Sequence, residues 1–392
     1  MDFGKQPLGN GFLDPDNFST EYFYDMSIGF SKESLMVQLL NQPSPQKMFH
    51  NEYAFYSSTS EHMKKHFEEF ANYVLSSSYM NNDSPFVMEL GCNDGILLKH
   101  FAAKNIRSVG IEPSENVARE ANRNGVQTIS EFFSENLADK ILSTHGKVDV
   151  FLAANVMCHI SDILSVVKGI KKLLTPSGVV IFEDPYLGDI LEKNSYDQIY
   201  DEHVFLFSLL SVRNLFGKVD MELIDVLPQK THGGSMRYVL SHTGSYPISD
   251  TVHKKLDEEK ALGLDNFSTY INFKDRVHNS KTELLELLQN LKSQGKLIAG
   301  YAATSKSTTI LNYCGIGPNL ISYIYDSTPI KQGKFTPGMH IPVVSRDVFV
   351  NNPPDFALLF AWNHAEEIMH REKAYTDFGG RWITHVPQVK IM

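Results

Sequence analysis

The chain has 392 residues and a net charge of −10, long enough for two or three domains with ample core. That charge, with no basic patch along the sequence, argues against a general nucleic-acid partner. No run approaches the ~18 consecutive apolar residues of a membrane span, the start Met1-Asp2-Phe3-Gly4-Lys5 lacks a secretory pattern, and the three cysteines, Cys92, Cys158 and Cys314, are scattered; a cytoplasmic protein with neither a disulfide framework nor a zinc site is expected.

Residues 1–57 read as a small N-terminal region, irregular because Gly, Pro and Asn punctuate short apolar runs such as Leu35 to Leu40. The spacing Ser58-Thr59-Ser60-Glu61 then suits a capping box, and Met63, Phe67, Phe70 and Val74 recur at helical intervals, so one amphipathic helix is expected before Asn81-Asn82-Asp83-Ser84-Pro85.

The apolar run Phe86 to Leu90 carries Glu89 near its end and is followed by Gly91-Cys92-Asn93-Asp94-Gly95 and a helical pattern, which predicts strand, tight turn and helix. Glycine lets the backbone turn sharply and a ligand approach closely, and the helix start offers unpaired N–H groups. The next strand, Arg107 to Ile111, ends in Glu112, about 20 residues past the glycines, where a carboxylate suits two ribose hydroxyls. The loop lacks G-x-G-x-x-G and holds Asp94; an acidic loop repels a pyrophosphate and welcomes a cationic amino-acid moiety. S-adenosylmethionine (SAM) is therefore favoured over a nicotinamide dinucleotide, with Glu89, Gly91, Asn93, Asp94, Gly95 and Glu112 as its contacts. Phe132 and Phe133 either flank adenine or sit in the core. Asn155 ends a later strand at the same crevice.

From residue 58 to 245, strands and helices alternate as in a mostly parallel sheet covered on both faces, and seven strands match the class I methyltransferase count. Residues 185–216 break the alternation. This segment, with Tyr196-Asp197-Gln198-Ile199-Tyr200-Asp201-Glu202-His203, reads as too polar for core and follows a central strand, where open parallel sheets place their ligand crevice, so it should cover the reaction site. His159 starts a turn after Asn155, while His232 and Arg237 bracket the glycines between two late strands; a tight hairpin-like loop is the plain account of these two, and contact with a nucleotide sugar is the weaker alternative.

Residues 246–392 begin with a long helical stretch from Asp250 to Ser293 and continue as a second α/β unit. Lys296 to Lys306 reads as strand, turn and helix, and Leu320 to Asp326 as the next strand. This resembles a Rossmann half without its glycine fingerprint. Thr304, Ser305 and Lys306 at a helix start, or Lys331 and Lys334, suit a diphosphate.

Taken together, Glu89 to Gly95, Phe132-Phe133, Asn155 to Ile160, Tyr200 to Phe205 and His232-Gly233-Gly234-Ser235-Met236-Arg237 resemble the sugar C-methyltransferases of deoxysugar pathways, which act on nucleotide-linked 4-keto sugars. The resemblance runs from about residue 5 to the end. It implies His203 as the base, with Glu202 and Tyr200 beside it and a tyrosine from the N-terminal region, Tyr53 or else Tyr56. It also implies a nucleotide-diphosphate sugar as substrate, for which Tyr56, His159, His232, Arg237 and Lys306 are the candidate contacts; monomer and homodimer both stay open. Members of that family carry paired Cys-x-x-Cys motifs for zinc, and this chain has Ser31-Lys32-Glu33-Ser34 where the second pair should fall. Serine does not replace thiolate toward zinc, so no metal is expected.

The residue types suit the chemistry. A carbon beside a ketone becomes nucleophilic once a proton leaves, and a neutral imidazole with an ordinary pKa near ~6.5 takes that proton at cytoplasmic pH. An O- or N-methyltransferase of small molecules, or an NAD-dependent or non-catalytic sugar-binding relative, are the competing readings.

Overall fold

The computed structural model describes residues 1–48, 57–59 and 61–392. Three strands open the chain, β1 (Asp2–Pro7), β2 (Phe23–Phe30) and β3 (Val37–Leu39). Sequence reading expected no regular structure here. The alternation of buried Tyr24, Met26 and Ile28 with more exposed neighbours is the strand signal that the Gly and Pro punctuation masked.

The central sheet is built from β4 (Phe86–Leu90), β5 (Arg107–Ile111), β6 (Thr128–Ile129), β7 (Val148–Ala154) and β8 (Leu174–Pro185). After β9 (Phe205–Leu206), β10 (Met221–Gln229) and β11 (Ser235–His242) complete it. Its order is β10-β11-β8-β7-β4-β5-β6, with only β11 antiparallel to its neighbours. This is the class I methyltransferase sheet of seven strands. Both faces are covered, so the strands run as mostly apolar stretches rather than alternating ones, with acids such as Glu89 and Glu183 near their carboxyl ends. Met88, Leu90, Phe151 and Phe182 pack on one side; Val87, Val150, Leu152 and Ile181 pack on the other, against Phe67, Phe70 and Val74 of the helix Glu61–Leu75. Each such buried side chain contributes about 1.5–3 kcal/mol.

A third sheet comprises β12 (Ile298–Tyr301), β13 (Ile324–Tyr325), β14 (Val343–Val344), β15 (Phe356–Leu359), β16 (Arg381–Thr384) and β17 (Lys390–Ile391). Its order β14-β13-β12-β15-β16-β17, parallel except for β17, is the 3-2-1-4-5-6 winding of a dinucleotide-type sheet. The helical stretch before it is two helices, Asp250–Ala261 and Phe267–Ser293.

The segment 185–216 corrects an expectation. It is core: Tyr196, Asp197, Gln198, Asp201, Glu202 and His203 are all buried. The polar side chains are tolerated because three elements close over them. β9 pairs with β3 to extend the N-terminal sheet, the β10–β11 turn lies beside it, and the C-terminal sheet supplies partners such as Trp362, whose Nε1 donates to Asp197 at 2.6 Å. Among the described residues no helix is long and apolar enough to cross a membrane.

Candidate active site

Open α/β sheets bind ligands at the carboxyl ends of strands where the strand order reverses. In the central sheet that point lies between β4 and β7, and in the C-terminal sheet between β12 and β15. Both open onto one cavity of about 450 Å³. Gly91, Asn93, Glu112 and Asn155 line one end; Thr304, Lys306, Asn363 and His364 line the other; Tyr200, Glu202, His203 and His159 stand between.

At the β4 end the turn is tight. Gly91 has φ +67°, and a Cβ there would fall 2.7 Å from Val156 Cγ2. The Asn93 amide donates to Glu112 Oε2 at 3.1 Å, and the Ser114 amide to its Oε1 at 2.9 Å, which aims the carboxylate into the cavity and leaves each oxygen a further lone pair for a hydroxyl. Glu89, Asp94 and Gly95 do not line the cavity, though their chain neighbours Leu90, Gly91 and Asn93 do; Glu89 Oε2 and Asp94 Oδ1 are buried without a hydrogen-bond partner among the described residues. Burial, then the nearby Glu112 and Asp94 carboxylates, push the Glu89 carboxyl well above its ordinary range. A site short of positive charge fits a ligand carrying an ammonium and a sulfonium, so these residues fit SAM. Phe132 is exposed and Phe133 buried against Phe151, yet both line the cavity. Asn155 holds φ +55°, with its Oδ1 buried and unpartnered among the described residues. Backbone strain of this kind collects at functional sites, and Asn93 and His232 share it.

In the middle, His203 Nδ1 lies 2.7 Å from the Gln198 carbonyl oxygen. A carbonyl only accepts, so Nδ1 carries the proton and Nε2 keeps its lone pair. Tyr200 places its hydroxyl 2.8 Å from that Nε2. Burial, then the charges of His159, His232 and Lys306, lower the His203 pKa well below its ordinary value, so the ring is neutral at physiological pH. His159 stacks on it at 5.5 Å, and burial lowers His159 to about 4. Glu202 accepts from Asn10 Nδ2 at 2.9 Å.

At the far end, Thr304 caps the helix Ser305–Cys314. The Lys306 ammonium donates to the His232 carbonyl at 3.2 Å and lies over the Trp362 ring. Lys331 donates to the Ala303 carbonyl at 2.7 Å and also faces the cavity, whereas Lys334 does not. His232 has φ +55° and a buried Nε2 without a partner among the described residues.

The structure brings together His203, Glu202, Tyr200, His159, His232 and Lys306. Arg237 is a correction: it is absent from the cavity wall, with Nε and Nη2 held by Glu183 Oε2 at 3.1 and 2.8 Å and its plane over Phe70. Its side chain sits under the sheet end, where β11 lies beside β8 in register with Glu183. Tyr53 and Tyr56 lie outside the described residues. Sequence reading missed Asn10, Asn363 and His364. The last two follow the carboxyl end of a parallel strand, a signal readable once the order of the C-terminal sheet is known.

Two metal sites need testing against the donors present. Cys158, His159 and His203 bring ligand atoms within 4.8 Å of one another. Both ring nitrogens of His203 are engaged by Gln198 and Tyr200, and burial, then Asp184, hold the Cys158 thiol well above its ordinary range, so this set does not fit a resident ion. Residues 1–49 contain neither cysteine nor histidine, and so offer zinc none of its usual nitrogen or sulfur ligands.

Residues 60–226 match the family model of a methyltransferase domain, residues 230–387 that of a C-methyltransferase C-terminal domain, and residues 1–49 that of a putative zinc binding domain. The last match covers the segment that holds no cysteine or histidine. The C-methyltransferase NovU of Streptomyces niveus is 31% identical over 394 residues, spanning 100% of this chain and 93% of its own. A tRNA U34 carboxymethyltransferase of Campylobacter curvus is 27% identical over 146 residues, 34% of this chain and 47% of its own. A solved S-adenosylmethionine-dependent methyltransferase of Clostridium acetobutylicum shares 11% identity over 45% of this chain and 92% of that one, with a TM-score of 0.36.

Proposed function

This chain belongs to the C-methyltransferase family and is a SAM-dependent enzyme, and from that premise we propose that it methylates the carbon next to the ketone of a nucleotide-linked keto-deoxysugar, with His203 as general base. The observation that carries the reading is the His203 tautomer: Nδ1–H is committed to the Gln198 carbonyl, so the basic Nε2 faces the cavity that also holds the cofactor cradle. The proposal divides the chain into an N-terminal region (1–57), a cofactor domain (58–245) and a C-terminal domain (246–392) that holds the nucleotide end of the substrate.

In this mechanism the substrate carbon displaces the Tyr200 hydroxyl from Nε2 and gives up its proton there, leaving an imidazolium and an enolate. The Tyr200 O–H then donates to the enolate oxygen in a water-poor site, where a preplaced donor stabilises developing charge. SAM, held by residues such as Gly91, Asn93 and Glu112, would supply the electrophilic methyl group for that carbon, with S-adenosylhomocysteine as the leaving group. Glu202 accepts a hydrogen bond from the sugar ring. The Lys306 ammonium and the helix start at Thr304 meet the diphosphate.

His203→Gln is expected to abolish methyl transfer together with solvent deuterium exchange at the adjacent carbon, while SAM binding by calorimetry stays intact. Exchange at the wild-type rate in that variant, or turnover of an acceptor that has no ketone, would overturn the reading in favour of O- or N-methylation.

A further inference from the structure

The loop after β1 enters the cavity from the N-terminal sheet. Gly9 donates its amide to Asp201 Oδ1 at 3.0 Å and accepts from Thr308 Oγ1 at 2.8 Å, so it is stapled at once to the buried segment and to the C-terminal domain. A Cβ at Gly9 would lie 2.7 Å from Asp201 Oδ1 and 3.0 Å from Ser305 Cβ, so the loop is wedged between them. Beyond it, Phe12 lies 4.8 Å below the Lys331 ammonium and Leu13 bridges to Phe335. This fixed frame presents Asn10 at the cavity rim, where Nδ2 donates to Glu202 Oε1 at 2.9 Å.

We propose that Asn10 is a positioning residue for substrate recognition: its Nδ2 hydrogen bond aims the buried Glu202 carboxyl group, on the same cavity wall as Lys331, so that the remaining lone pairs accept from a ring hydroxyl or amine of the sugar. This rests on the function proposed above. Three groups from three parts of the chain meet here, Asn10 from the N-terminal region, Glu202 from the buried segment and Lys331 from the C-terminal domain, and all three line the cavity. The charged and titratable groups facing Glu202 are Asp201, Lys331 and the Cys158 thiol. Burial raises the Glu202 pKa, and the Asn10 hydrogen bond and the Lys331 charge pull it back. Asn10 is itself exposed, so replacing it removes a hydrogen bond without opening the core.

The test is calorimetric binding to His203→Gln protein loaded with S-adenosylhomocysteine, which removes chemistry from the readout. The probe is the tightest-binding of the thymidine-, guanosine- and cytidine-diphospho 4-keto-6-deoxyhexoses. Asn10→Ala should weaken binding roughly 10- to 100-fold, the range for losing a hydrogen bond to a charged group. Asn10→Asp, which sets a like charge against Glu202, should lose more at pH 8 than at pH 6, while the Asn10→Ala deficit varies little across that range. S-adenosylhomocysteine affinity and the melting temperature should stay at the parent values in both. Equal sugar affinity in parent and Asn10→Ala overturns this inference alone, as does an Asn10→Asp deficit independent of pH. Failure of the parent to bind any of the three sugars overturns the proposed function and this inference with it.

Discussion

The Lys306 ammonium lies 3.2 Å from the carbonyl oxygen of His232, so a cation from the C-terminal domain closes the turn between β10 and β11. The same side chain rests over Trp362, whose indole N–H is held by Asp197 at 2.6 Å. One cation is thereby tied to the cofactor domain, the buried segment and the third sheet. Its charge also bears on His203, which it helps to keep neutral.

Lys306→Met should therefore act twice. Loss of an ammonium facing the cavity should raise KM for the nucleotide sugar by on the order of 10-fold or more. Removing a positive charge near His203 should also raise that imidazole's pKa, so the acid limb of kcat/KM moves to higher pH. An unchanged KM would remove Lys306 from substrate binding, and an unmoved acid limb would remove it from the field at the base.

Gly233 tests how closely the β10–β11 turn and the C-terminal domain pack. It has φ +89°, and a Cβ would lie 2.1 Å from Trp362 Cη2. Gly233→Ala should destabilise the protein by on the order of 1–3 kcal/mol, from backbone strain and displacement of the indole. Denaturant unfolding checks this. Adding Trp362→Phe should recover part of the loss, because the clashing atoms belong to the second ring; no recovery would assign the whole cost to φ.

Buried acids give stability a slope with pH. Burial raises Asp184 and Asp201 to about 8 and Glu259 to about 7. A group whose folded pKa lies above its unfolded value contributes stability present in full below the unfolded pKa, near ~4 for a carboxyl, and lost as pH rises through the folded pKa. His159 and His232, lowered by burial to about 4 and about 3, act oppositely, and their effect is complete above about pH 6.5. Between about pH 6.5 and 8.5 the acids titrate against no opposing histidine, so the melting temperature should fall there. Asp201→Asn keeps an acceptor for the Gly9 amide and should flatten the slope; a melting temperature level or rising across this window would contradict the assignment.

The central sheet was legible because its signals are local. Glu89, Gly91 and Glu112 stand on one strand, one turn and the next strand tip, and hydrophobic runs mark the remaining strands. The buried segment 185–216 was located but misread as too polar for core. Asp197, Glu202 and His203 find their partners in Trp362, Asn10 and Tyr200, and the first two of those partners are 165 and 192 residues away, beyond any local pattern. Asn10 was invisible for the same reason: Leu8-Gly9-Asn10-Gly11 reads as a turn, and only the closure of three sheets makes it part of the cavity. Arg237 shows the converse: a plausible motif position is paired with Glu183 beneath the sheet end, off the cavity wall.

Arg237 yields the prediction that separates those two readings most cleanly. Glu183 is fully buried at the end of β8 and accepts from His66 Nε2 at 2.7 Å, from Thr231 Oγ1 at 3.0 Å and from two nitrogens of Arg237. Burial alone would raise its pKa; the His66 hydrogen bond and the Arg237 charge more than offset that, and the carboxyl lies below its ordinary value. Removing the guanidinium leaves a buried carboxylate short of its cation, a change that costs about 3–5 kcal/mol in buried pairs. Arg237→Met should thus lose stability by that order in chemical denaturation, while the protein that remains folded keeps the wild-type KM for the nucleotide sugar. A tenfold rise in KM at unchanged stability would return Arg237 to the substrate, and with it the motif reading that the buried pair with Glu183 displaced.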